Sequence, residues 1–242
     1  MTGTAIPDWL NIIDRRMKTR RKSAMLFVDD VDERARKIAR GIVQHHHDDD
    51  WFHQTRAFAE LNLQLTGMAR EVLPGDSGFR PSFLGHILVE LLLDGILFTQ
   101  QPELLDSYYE TLESIDAELV QSTINRISNR NSDLIVDLIP KFCSARFLYD
   151  YVEDEKLLMR LNGVMKRVKL NPLPDSFARI FPKAREMVER RQDELLAGEG
   201  EPVVDDFSRP GDSNAQDATN LLNSDDGQAE LDHPNDRDNE TI

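Results

Sequence analysis

The segment Pro81-Ser82-Phe83-Leu84-Gly85-His86-Ile87-Leu88-Val89-Glu90-Leu91-Leu92-Leu93-Asp94-Gly95-Ile96-Leu97-Phe98 decides the fold class. Apolar residues occupy nearly every face of a helix drawn through it, which predicts a helix buried all round. Proline at its opening suits the first helical turn. The most apolar part, Ile87 to Phe98, is interrupted by Glu90 and Asp94 and is too short to read as a bilayer span. Two carboxylates in a buried helix are costly unless a cation, a hydrogen-bond donor or a metal compensates them. His86, Glu90 and Asp94 stand at i, i+4 and i+8, so a single helix face carries all three.

Helical spacing continues on both sides of this segment. Val31 to Gln44 and Phe52 to Val72 read as helices, the second stopped by Leu73-Pro74-Gly75-Asp76. Pro102 opens another, running toward Ser128, and Ser132 or Asp133 caps the next, where Pro140 should kink or break the helix. Asp154 to Val168 is amphipathic and ends at Asn171-Pro172, and Asp175 to about Leu196 reads as one long charged helix. Neither β-type alternation nor an internal repeat emerges. The expected fold is an all-α helical bundle over residues 31–196, preceded by a basic segment, 1–30, and followed by an acidic tail, 197–242.

The 242 residues carry a net charge of -15. From Ala197 onward 13 Asp and Glu stand against Arg209 and Arg237, so the first 196 residues hold only -4. The tail has few large apolar residues and is expected to be disordered. An overall acidic balance argues against nucleic acid as the main partner. Cys143 is the only cysteine, which excludes an intrachain disulfide and suits a reducing compartment. The first 25 residues lack a secretory pattern. The expectation is a cytoplasmic protein that spans no membrane.

Five of the six histidines lie between His45 and His86. In Gln44-His45-His46-His47-Asp48-Asp49-Asp50-Trp51-Phe52-His53 the set His45, Asp49, His53 again falls at i, i+4, i+8. Two helices would thus present imidazole and carboxylate rungs to one another, as helical bundles do when they build metal sites. Such mixed ligation suits Mn, Fe or Zn. With open coordination positions the reaction class is hydrolysis of a phosphate ester. The plainer alternative pairs Glu90 or Asp94 with an Arg or Lys from another helix. No Gly-rich phosphate loop, Gly-x-Ser-x-Gly or CxxC pattern is present.

Ala39-Arg40-Gly41-Ile42-Val43-Gln44-His45, followed by Asp49 and His53, resembles the signature of the acyl-carrier-protein phosphodiesterase family. His45 and Asp49 match that signature by type, and His53 stands where the family has Asp. The family's second motif, an Asp with Asp-His four residues later in an apolar helix, is similar to the region of His86 and Glu90. Arg146-Phe147-Leu148-Tyr149-Asp150-Tyr151 and Leu161-Asn162-Gly163-Val164-Met165-Lys166-Arg167 resemble its C-terminal part. The likeness spans about residues 38 to 195. The family's opening Asn-Phe-Leu-Ala-His and its Leu-Ala-Asp-Phe motif have no counterpart here. The resemblance implies an all-helical fold distantly like the HD-type metal-dependent phosphohydrolases. It also implies Mn-assisted release of 4'-phosphopantetheine from acyl carrier protein, a step of fatty acid biosynthesis.

Together these readings make His45, Asp49, His86 and Glu90 the expected metal ligands. His53 and Asp94 are the expected catalytic groups, as outer ligands or orienters of water. The acidic carrier protein would meet a basic surface at Arg15 to Lys22, or at Lys166, Arg167 and Lys169. The rival expectations are a non-catalytic helical interaction module that keeps the fold, and metal binding without hydrolysis.

Overall fold

The computed structural model describes residues 2–76 and 78–198, and these form helices and turns with no strand among them. The first half runs α1 (Thr2–Ile13), α2 (Arg21–Met25), α3 (Glu33–Gln54), α4 (Arg56–Val72) and α5 (Phe79–Gln100). It continues through α6 (Pro102–Glu113), α7 (Ala117–Ile127) and α8 (Ile135–Ala145) to a 3-10 turn at Phe147–Val152. Then come α9 (Asp154–Arg167), a second 3-10 turn at Asp175–Ile180, α10 (Phe181–Glu189) and α11 (Gln192–Leu195).

Two stretches fold differently from the sequence reading. The His/Asp run does not separate two helices, because α3 continues through it to Gln54. Asp32 caps α3 by accepting from the Arg34 N–H, and Thr55 caps α4 by accepting from the Phe58 N–H, satisfying donors that a helix start leaves open. The break between α3 and α4 is therefore the single residue Thr55. Downstream, the expected long helix from Asp175 is divided into a 3-10 turn, α10 and α11. Pro140 lies inside α8, which continues past it to Ala145.

α5 is the centre of one apolar cluster. Its Leu84, Leu88, Val89, Leu92, Leu93 and Ile96 are buried with Leu61 and Leu65 of α4, Leu157 and Leu161 of α9, and Phe177 and Phe181. Full burial of one such side chain contributes about 1.5–3 kcal/mol, so this face fixes α5 firmly. At 22 residues α5 is also long and apolar enough to cross a bilayer, and half of its most apolar window is buried within the fold. A second cluster joins Ile6, Trp9 and Leu10 of α1 to Ile38, Ile42 and Val43 of α3, with Tyr109, Ile124 and Phe142 from α6, α7 and α8.

The helical body thus begins at α1, and residues 2–30 are not a separate basic arm. Met17, within the basic run, is 1% exposed, and Asn129 receives the Lys18 N–H and donates to the Arg16 carbonyl. Of the tail expected to be disordered, residues 199–242 lie outside the described residues.

Candidate metal centre

The polar groups gather where the two apolar clusters meet. α3 belongs to one cluster and α5 to the other, and their ladders face each other near the end of α3. His53 Nε2 and His86 Nε2 each lie 3.0 Å from the same oxygen, Glu90 Oε1. The two imidazoles stack with ring centroids 4.7 Å apart. Phe58 of α4, buried, meets both rings edge-on at 4.6 and 5.0 Å, so apolar packing sets the angle at which the imidazoles present their nitrogens.

One ligand atom from each of His53, His86 and Glu90 lies within 4.8 Å of the others. A tetrahedral ion with bonds of 2.0–2.1 Å needs ligand atoms about 3.3 Å apart. Opening the two 3.0 Å contacts by a few tenths of an ångström meets that requirement. Behind this trio, Asp49 Oδ1 lies 3.4 Å from His53 Nδ1. A carboxylate on the far nitrogen is the usual means of orienting a metal-binding imidazole.

The ladders therefore converge with exchanged roles. His86 and Glu90 fall together as expected. His53, expected in the outer position, is the third member of the compact group, and Asp49 stands behind it. His45 packs edge-on against His46, centroids 5.3 Å apart, and its charge acts on Asp8. Asp94, one turn past Glu90, makes no hydrogen bond or ion pair among the described residues. His46 is directed elsewhere, with Nε2 2.6 Å from the Thr19 carbonyl oxygen.

Asp8 of α1 is the member that sequence reasoning missed. It is a lone acid in Pro7-Asp8-Trp9, without a rung at helical spacing to announce it. Its field neighbours are His45, Glu90 and Asp49, which brings a third helix to the centre.

Water reaches this centre although protein surrounds it. Glu90 keeps 38% of its side-chain surface accessible, and His53 and His86 keep 20% and 25%. Burial is nonetheless the largest single influence on each of Asp8, Glu90 and Asp94. Groups that are ringed by protein yet touched by solvent line a cleft. Burial opposes ionisation of Glu90, but hydrogen bonds from His53 and His86 outweigh it and hold the carboxyl at about 2. For His53 burial opposes the charged ring, and its bonds to Asp49 and Glu90 outweigh that, raising it to about 10.

The acids without such partners move the other way. Burial, with the charges of Glu90 and Asp8, lifts Asp94 to about 7. Burial also lifts Asp8 to about 6, His45 pulling down while Glu90 and Asp49 push up. Among the described residues no Arg or Lys pairs with Asp8, Glu90 or Asp94; the ion-pair partners of Glu90 are the two histidines. The plainer alternative for the buried acids, a compensating Arg or Lys, is not what the fold provides.

Comparison with protein-family models, with curated proteins and with solved structures finds no match to this chain. The centre stands on its own geometry.

Proposed function

We propose that this protein is a divalent-metal-dependent phosphodiester hydrolase, with His53, His86 and Glu90 as the ion's first ligands. The observation that carries the reading is the meeting of His53 Nε2 and His86 Nε2 on Glu90 Oε1, in a water-accessible cleft whose acids lack Arg or Lys partners. A bound dication would activate water near neutral pH and neutralise a phosphoryl oxygen.

The chain's own groups would do the rest. Asp49 would hold His53 in the tautomer that presents Nε2 to the ion. Asp94 and Asp8, with ionisation pushed into the physiological range, are suited to take up or return a proton at the reacting oxygens. His45 and Asp49, expected as ligands from the sequence, take supporting positions in this reading.

Mn, Fe and Zn all suit two imidazoles with a carboxylate, and Mn is the ion that the family resemblance implies. The same resemblance makes acyl carrier protein the finer proposal for substrate. Exposed cations at Arg20, Arg21 and Lys22, and at Lys166, Arg167 and Lys169, supply the surface that an acidic carrier would need.

The test is hydrolysis of bis(p-nitrophenyl) phosphate by purified protein in Mn, Fe, Zn and Mg, with His53→Ala and Glu90→Gln alongside. Metal-dependent turnover lost by at least 100-fold in both variants supports the reading. Absence of turnover with every metal, or turnover unchanged in the variants, removes it.

A further inference from the structure

Building on the metal-centre reading above, we propose that the cleft holds a second divalent cation, bound by Asp8 of α1 and Asp94 of α5 and bridged to the first through Glu90. Four observations on separate elements converge on this position.

The first is the use of Glu90. Its Oε1 takes both imidazoles, and its Oε2 makes no hydrogen bond or ion pair among the described residues. A carboxylate engaged through one oxygen and free at the other is arranged to bridge. The second is spacing. Asp94 follows Glu90 by one helical turn on the same face, an advance of about 6 Å along the axis. Two ions sharing a bridging carboxylate sit about 3.5–4 Å apart, so a turn's offset lets Asp94 reach the outer ion while Glu90 touches both.

The third observation concerns Tyr151. Its 3-10 turn is pressed onto α5 at Gly95, where an added Cβ would stand 2.9 Å from the Tyr151 carbonyl oxygen. Tyr151 is 8% exposed, and its hydroxyl has no hydrogen-bond partner among the described residues. The charge acting on it most strongly is that of Asp94. Tyr108 of α6 also lacks a hydroxyl partner, and its field neighbours include both Asp8 and Asp94. Polar groups that face one another without touching enclose a space that something polar must fill. A cation with its waters satisfies carboxylates and phenols together.

The fourth is charge. Asp8, Asp49, Glu90 and Asp94 meet with only imidazoles for company. With the histidines neutral, as ligation requires, one dication leaves this set two negative charges in excess and a second neutralises it. The two positions differ in kind. The first is rich in nitrogen, whereas the second offers only oxygens, a donor set for a hard ion such as Mn or Mg. Two ions in this arrangement would clamp both the attacking and the leaving oxygen of a phosphodiester.

The experiment titrates the full-length, metal-stripped protein with Mn alone, reading stoichiometry by calorimetry and spin coupling by electron paramagnetic resonance. The expected result is two Mn per chain with an exchange-coupled spectrum. Asp8→Asn and Asp94→Asn should each retain one Mn with an uncoupled six-line spectrum. A single Mn in the parent, or two without coupling, overturns the second ion and leaves the first reading standing. No bound Mn overturns both. Should a variant fail to fold, the parent's stoichiometry and coupling decide the matter alone.

Discussion

Gly3 and Gly41 touch where α1 crosses α3, so closely that a Cβ added to Gly41 would stand 2.6 Å from the Gly3 Cα. This crossing is what carries Asp8, five residues further along α1, over the histidine face of α3. Neither backbone has a flexible side chain there to move aside. Gly41→Ala is therefore expected to force the helices apart, costing about 1–3 kcal/mol by overpacking. Urea denaturation checks the cost; a variant as stable as the parent would show that the helices separate freely.

His53 is tied to the centre by Asp49 on one nitrogen and Glu90 on the other. Saturating Mn should raise the melting temperature of the parent, since an ion that binds only the folded state stabilises it by mass action. His53→Ala should abolish that rise. Asp49→Asn should keep it but weaken Mn binding about 10- to 100-fold, the usual effect of removing an orienting carboxylate. Calorimetry distinguishes the two outcomes, and an Asp49→Asn affinity equal to the parent's would remove its orienting role.

Phe58 links packing to chemistry, since it is 4% exposed and edge-on to both imidazoles. Phe58→Ala should cost about 3–5 kcal/mol of stability and also weaken Mn binding. Leu88→Ala, on the same buried helix but among apolar neighbours, should cost about 2–5 kcal/mol with Mn affinity unchanged. Parallel denaturation and Mn titration separate these effects; equal Mn affinity in both variants would mean that Phe58 only packs.

The metal-free protein should lose stability as pH rises from about 4.5 to 7. Burial and like charge hold Asp94 up at about 7 and Asp8 at about 6, against an ordinary value of 3.8. A carboxyl raised on folding favours the folded state below its ordinary value, and that benefit is lost as pH rises through the folded value. His53, raised from 6.5 to about 10, adds a contribution that is complete below 6.5 and is lost from there upward, extending the decline. Glu90, lowered from 4.5 to about 2, acts only below 4.5, where its contribution disappears as pH falls. Melting in chelator at half-unit steps should show the decline, and Asp94→Asn should flatten its lower part. A rise in melting temperature between pH 5 and 7 would contradict the arrangement.

The meeting of the two ladders was legible because helical periodicity fixes which residues share a face. His45, Asp49 and His53 had to align, as did His86, Glu90 and Asp94. Which rungs touch was not legible, since that depends on where α3 ends. Thr55 caps α4 immediately after α3, so the last rung, His53, is the one brought against α5. The N-terminal contribution was hidden for another reason. Ile6, Trp9 and Leu10 mark an apolar face, but the basic run from Arg15 to Lys22 dominated the composition of residues 1–30. Asp8 had no periodic partner to set it apart, and only packing against α3 gives it a role.

Anomalous diffraction at the manganese edge, from crystals of the protein grown with Mn, tests the central claim most directly. The account requires a strong peak about 2.0–2.3 Å from His53 Nε2, His86 Nε2 and a Glu90 oxygen. A map without a peak among those three atoms, with manganese absent or bound only at exposed acids elsewhere, would contradict it.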